Sequence, residues 1–255
     1  MSRLDGVTSY ALDYGRAPLD QLARYQLVIV EPTARSAAEV RWLRRRGVMV
    51  LGYLSLLEAG PHLDCFPRIP PEAFLGQQRV GVLDPRHEGW RRLIMAVARE
   101  RLHRWGLDGL LLDGLESAET PPPGAGRLRD WCIPAAADLV RRIREALPGA
   151  VLVQNQGLWE VAPLAARWLD GLMWENPPLK PPQLAYSWRL AEHLVGIAGR
   201  HRLRVFVLVE GDWVRGLGEE EASYFNSLHR LMQRLPGAML YVCPRRYASG
   251  EVAGV

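Results

Sequence analysis

An α/β chain folded as a single (β/α)8 TIM-type barrel, with a long insertion after the third strand, is predicted by three features of the sequence. Short apolar runs alternate with longer amphipathic stretches, the pattern of a parallel sheet with helical crossovers. The length of 255 residues matches the roughly 250 typical of such a barrel. One phrase also occurs twice, as Leu107-Asp108-Gly109-Leu110-Leu111-Leu112-Asp113 and as Leu169-Asp170-Gly171-Leu172-Met173-Trp174-Glu175. In both copies an arginine-rich helical stretch runs into a Leu-Asp-Gly-Leu corner, a short apolar run and then an acid. A buried strand with a carboxylate at its C-terminal end is how parallel sheets present catalytic groups. A doubly wound open sheet is the competing arrangement.

The elements follow in order. Ser9–Asp13 reads as the first strand and Leu27–Glu31 as the second, closed by Pro32. A helix over about 36–46 stops at Gly47, as helix C-termini prefer. Val48–Leu54 is the third strand. From Leu56 to about Pro85 the prolines Pro61, Pro67, Pro70 and Pro71 punctuate the pattern around one apolar piece, Arg79–Leu83, which suggests an insertion on the barrel top rather than a separate domain. A helix over 89–105 leads to the fourth strand, Gly109–Asp113. A proline-rich loop over 116–129 precedes a helix over 134–147. Ala150–Asn155 and Gly171–Glu175 are the fifth and sixth strands. Helices over 187–201 and 219–235 precede the seventh, Arg204–Glu210, and the eighth, Gly237–Cys243. Within the repeat, Asp108 and Asp170 are expected to do no more than start a strand.

Composition excludes several classes. With 48% hydrophobic and 24% charged residues the chain can bury a large core. The net charge of +4 comes almost entirely from arginine, Lys180 being the sole lysine. These arginines sit beside acids on amphipathic stretches, as in Arg141-Arg142-Ile143-Arg144-Glu145, and form a solvated face rather than a nucleic-acid footprint. Cys65, Cys132 and Cys243 are widely spaced and read as free thiols. No apolar span is long enough to cross a membrane, so no membrane partner is expected. The N-terminus lacks a signal-peptide core. The chain as written is therefore expected in the cytoplasm, or outside the cell if a signal has been removed.

In a barrel, the residues just past each strand face one another around one rim. Here they are Asp13, Glu31, Ser55 with Glu58, Asp113 with Glu116, Asn155, Glu175, Glu210 with Asp212, and Cys243. That rim is acidic in a basic protein, and like charges gathered at one end of a barrel usually serve a ligand. Asp13 and Glu31 are expected instead to bond loop backbone or pair with arginine. Asp113 and Glu175, on strands of the same parity, should converge at similar height. Strands two apart are separated by roughly 9–10 Å. Inward-leaning carboxyls would then lie about 5–9 Å apart, a range spanning retaining and inverting glycosidase geometry. Tyr53, Trp159, Trp174 and Trp213 stand where sugar faces could stack. The sequence has no phosphate loop, G-x-S-x-G elbow or H-E-x-x-H helix. Its six histidines are scattered, so no cofactor and no histidine-based metal site are expected.

The segments Gly52-Tyr53-Leu54-Ser55-Leu56-Leu57-Glu58 and Gly106–Asp113, followed by Asn155-Gln156-Gly157 and the Glu175 strand end, resemble glycoside hydrolase family 114, named for endo-α-1,4-polygalactosaminidase. The resemblance runs from about Tyr10 to the seventh strand. It implies a (β/α)8 barrel that cleaves galactosamine-containing polysaccharide, with functional roles for Glu58, Asp113, Glu116 and Glu175. The chain departs from the family at Leu57, where glycine is usual, at Glu116, where aspartate is usual, and at Glu210-Gly211-Asp212-Trp213.

The expected activity is hydrolysis of a galactosamine-containing polysaccharide or related amino-sugar oligosaccharide, cut from within the chain. Glu175 would be the general acid if Trp174 and burial raise its pKa, and Asp113 the ionised nucleophile or base; the reverse assignment stays open. Tyr53, Glu58, Glu116, Asn155, Trp174, Glu210, Asp212 and Trp213 would bind the sugar. A non-catalytic carbohydrate-binding barrel and a metal-assisted enzyme are the competing readings.

Overall fold

A computed structural model describes residues 3–76, 80–120, 128–211 and 219–244. Eight parallel strands form one continuous ladder: Tyr10–Asp13, Leu27–Val30, Met49–Ser55, Gly109–Asp113, Val151–Asn155, Gly171–Glu175, Arg204–Gly211 and Met239–Pro244. The sheet curls until the first strand lies beside the eighth. There the Tyr10 hydroxyl donates to the Val207 carbonyl at 2.7 Å. The Tyr10 ring packs edge-on against Phe206, 5.0 Å between centroids, and 5.6 Å from Tyr241. The result is a nearly closed barrel with helices outside it.

The register sorts the side chains into two sets, because neighbours across a parallel ladder point the same way and residues alternate along each strand. Tyr10, Leu51, Leu111, Val153, Met173 and Phe206 share one face and fill the barrel. Val28, Leu110, Leu152, Leu172 and Val207 share the other, beneath helices that bury Val40, Leu43, Ile94, Ile143, Leu194 and Leu231. These apolar runs are buried on both faces and hence nearly continuous, as parallel strands require.

The repeated corner has a structural explanation. Asp108 takes the Val50 amide on its carboxylate at 2.9 Å and pairs with Arg44 at 2.8 Å. Asp170 likewise takes the Leu152 amide at 2.9 Å and pairs with Arg144 at 2.5 Å. Each aspartate ties a helix arginine to the start of the preceding strand. The following glycines allow close approach at the barrel floor: a Cβ on Gly109 would lie 2.0 Å from the Val151 carbonyl oxygen, and one on Gly171 2.7 Å from the Phe206 ring. Asp170→Asn is expected to cost about 1–3 kcal/mol by weakening a charge-assisted bond to a mostly buried amide. Urea unfolding checks this; an unchanged midpoint would remove the explanation.

Several boundaries differ from expectation. The helix over Ala37–Arg44 is closed by a capping box, Ser36 with Glu39. Residues Glu116–Glu119, expected in a loop, form a short helix. The next helix begins at Leu128 and carries Pro134 inside it. Proline forfeits one helical N–H bond, and burial of Cys132, Ile133 and Ala136 on this stretch holds the helix through that position. Short helices at Leu19–Leu22 and Val161–Ala165 add crossovers too brief for a periodic pattern.

The insertion after the third strand is packed down, not loose. Glu58–Ala59 pairs antiparallel with Gly81–Val82. The Trp90 indole donates to the Leu56 carbonyl at 2.9 Å. The buried Arg101 guanidinium donates to the Tyr53 carbonyl and to Asp64. Arg79 lies outside the described residues.

Candidate active site

The face of the ladder that fills the barrel also carries Tyr53, Ser55, Asp113, Asn155, Glu175, Glu210 and Cys243 at its C-terminal edge. Strand alternation thus collects residues from six strands on one rim. Asp13 lies on the other face of the ladder, and Glu31, although its charge reaches Tyr53, is tied into its own turn. Asp13 is buried against Arg35 at 2.5 Å, and Glu31 accepts the Thr33 amide and hydroxyl at a helix start.

At the centre is the Asn155 side-chain amide. Its Nδ2 donates to Asp113 Oδ1 at 2.9 Å and to Glu175 Oε2 at 3.0 Å. The two hydrogens of a planar amide diverge by about 120°, which places the two carboxylate oxygens about 5 Å apart, at the retaining end of the range seen in glycosidases. The Tyr53 hydroxyl also bonds Asp113, and burial together with that neighbouring carboxylate pushes the phenol well above its usual pKa. Tyr53 therefore stays a neutral hydrogen-bond donor to Asp113. Gln156, with a left-handed φ of 54°, sends its Nε2 to the Glu175 carbonyl at 3.0 Å and fixes the end of the sixth strand.

Glu116 closes one side. Burial raises its pKa to about 7, and the negative charges of Asp113, Glu58 and Glu175 push the same way. Its Oε2 is buried without a hydrogen-bond partner among the described residues. Glu58 is held by the Ser117 hydroxyl at 2.5 Å, and Ser55 donates to the Glu58 carbonyl at 2.7 Å. At the seventh strand end, Asn176, at φ 47°, accepts the Glu210 amide at 2.8 Å. Burial, with Glu210 and Glu175 nearby, pushes the Cys243 thiol up to about 12. It is a neutral wall of the site.

Trp174 corrects the sequence reading. It lies on the helix-facing side of its strand and is 2% exposed, so it offers no ring face to a sugar and does not lie against the Glu175 carboxyl. Strand alternation requires this once Glu175 faces inward. Asp212 and Trp213 lie outside the described residues. Ser117, Gln156 and Asn176 were not anticipated. The one sequence signal for Asn176 is its place before Pro177-Pro178, since asparagine tolerates the left-handed turn such a junction uses. Among the described residues no three His, Cys, Asp or Glu side chains are grouped to hold a metal ion.

No family model and no curated protein matches the chain. Solved structures do. The glycoside hydrolase domain of PelA from Pseudomonas aeruginosa aligns with a TM-score of 0.74 at 23% identity, covering 95% of this chain and 97% of that one. Ega3 from Aspergillus fumigatus, in complex with galactosamine, aligns with a TM-score of 0.76 at 11% identity, covering 100% and 98%. This is the fold of glycoside hydrolase barrels. An α-galactosidase from Thermus thermophilus shares it at a TM-score of 0.59 and 16% identity, covering 98% of this chain and 60% of the other. At these identities the likeness establishes the barrel, and the chemistry rests on the rim.

Proposed function

We propose that the protein is a retaining glycoside hydrolase that cuts within a galactosamine-containing polysaccharide. The observation that carries this reading is the Asn155 amide spanning Asp113 and Glu175, two carboxylates at covalent-intermediate spacing on the inner rim of a barrel. The acidic surroundings, Glu58, Glu116 and Glu210, suit the ammonium groups of a partly deacetylated polymer. The likeness to a structure solved with galactosamine supports the same sugar.

The steps follow from the geometry. Asp113, held in place by hydrogen bonds from Asn155 and Tyr53, attacks the anomeric carbon as the nucleophile. Glu175 gives its proton to the departing glycosidic oxygen, leaving a glycosyl ester on Asp113. Water then enters; Glu175 takes its proton as the oxygen attacks the same carbon, and Asp113 leaves as a carboxylate. Two displacements return the original configuration. A second reading makes Glu116 the proton donor, because its raised pKa and uncommitted buried oxygen suit a general acid.

Anomeric proton NMR during digestion of acetylated and partly deacetylated polygalactosamine tests both. The first-formed product should carry the configuration of the bond cleaved, and Glu175→Gln should form none from the polymer while keeping activity on an aryl glycoside whose leaving group needs no proton. The opposite anomer would overturn the retaining reading. Full activity of Glu175→Gln on polymer would transfer the acid role to Glu116. Binding without products from the wild type would leave a carbohydrate-binding barrel.

A further inference from the structure

We infer that Trp159 and Tyr186 form an aromatic platform beside the carboxylate cleft that binds a further pyranose ring of the same polysaccharide. This rests on the glycan reading above.

The pair is joined to the cleft through the chain itself. Gly157, at φ 62°, packs so closely on the start of the Glu116 helix that a Cβ would sit 3.2 Å from the Glu116 amide nitrogen. Trp159 follows two residues later, within about 7 Å of chain. The buried Gln154 amide clamps the turn by donating to the carbonyls of Gln156 and Gly157, each at 2.9 Å. Glu119 Oε1 accepts the amides of Glu160 at 2.8 Å and Val161 at 2.9 Å, and Arg129 pairs with Glu160. The segment bearing Trp159 is therefore pinned to the same short helix that presents Glu116.

The ring geometry is fixed as well. Trp159 stacks on His193 at 4.9 Å and 29°, which covers one indole face from below. Its Nε1 donates to the Tyr186 hydroxyl at 2.8 Å, with 5.7 Å between the two ring centroids. Tyr186 is 39% exposed, in the first turn of the helix Leu184–His201 that follows the sixth strand. Accepting the indole N–H leaves the phenol its own hydrogen to give. The two rings, inclined at 59° and joined at one polar edge, form an angled shelf after the fifth and sixth strands that suits the apolar face and hydroxyl rim of a sugar.

The test is the ratio of kcat/KM for partly deacetylated polygalactosamine to that for a galactosamine trisaccharide, together with polymer binding followed by tryptophan fluorescence. Tyr186→Ala should lower the ratio about tenfold and weaken polymer binding similarly, with an unchanged melting temperature. Tyr186→Phe, which keeps the ring, should recover most of the loss. An unchanged ratio and unchanged binding overturn the platform, as does an equal loss on both substrates. If the wild type binds polymer without cutting it, the glycosidase reading falls while the binding arm still decides the platform. A wild type that neither cuts nor binds removes both.

Discussion

Asp113→Asn is expected to lower kcat on polygalactosamine by about 10⁴-fold, the scale on which removing a covalent nucleophile is felt. The substitution is nearly isosteric, and its Oδ1 can still accept the Asn155 amide that now bonds Asp113 at 2.9 Å. Folding and substrate binding should therefore survive, and circular dichroism and fluorescence titration would show it. Asp113→Gly separates nucleophile from base: with azide filling the gap, a nucleophile position yields a glycosyl azide, whereas a base position yields only faster hydrolysis. If Asp113→Asn retained turnover within tenfold, the covalent mechanism would be lost and the Asn155 bridge would need another purpose.

The strands were legible because each is an apolar run bounded by glycine, proline or a charged corner, and burial on both faces removes the ambiguity of alternation. Asp113 and Glu175 were legible for the same reason: an acid that ends a buried run has nowhere to go but the rim. Asn155 was visible as a strand end, yet its bridging role depends on the register between the fourth, fifth and sixth strands, which no local pattern encodes. Trp174 was a misreading the sequence itself could have prevented. If Glu175 faces inward, period-two alternation sends its neighbour outward. The helix at Glu116 was missed because four residues hold no periodicity. The elevated pKa of Glu116 arises first from burial and then from Asp113, Glu58 and Glu175 converging through space, all properties of the assembled rim. The Trp159–Tyr186 contact joins a turn to a helix start distant in sequence and is equally invisible from either one.

Replacing Glu116 by glutamine should stabilise the protein increasingly above about pH 4, and fully at neutral and alkaline pH. An exposed glutamate loses its proton near pH 4.3, whereas burial and three neighbouring acids keep Glu116 protonated in the folded protein up to about 7. Below about pH 4 both states carry the proton and the group is neutral in its effect. Between the two pKa values the folded state holds a proton that the unfolded chain has released, so stability falls as pH rises. Above about 7 the buried charge is formed and the penalty is complete. A shift of this size, discounted for partial solvent access, corresponds to about 2–3 kcal/mol, or roughly 4–12 °C for a chain of this length. Glu116→Gln keeps the shape and never ionises. Melting curves of the two proteins should therefore coincide near pH 4, separate through pH 5–7 and run parallel above pH 8. Coincidence at every pH would mean that Glu116 titrates like a surface carboxylate, which would also withdraw it as a candidate acid. A cationic amino sugar in the cleft should favour the ionised form, so ligand binding near pH 6.5 should release protons in the wild type and fewer in Glu116→Gln. Isothermal titration in two buffers of different ionisation heat measures that difference directly, and it ties the charge of the substrate to a rim carboxyl held on the edge of ionisation.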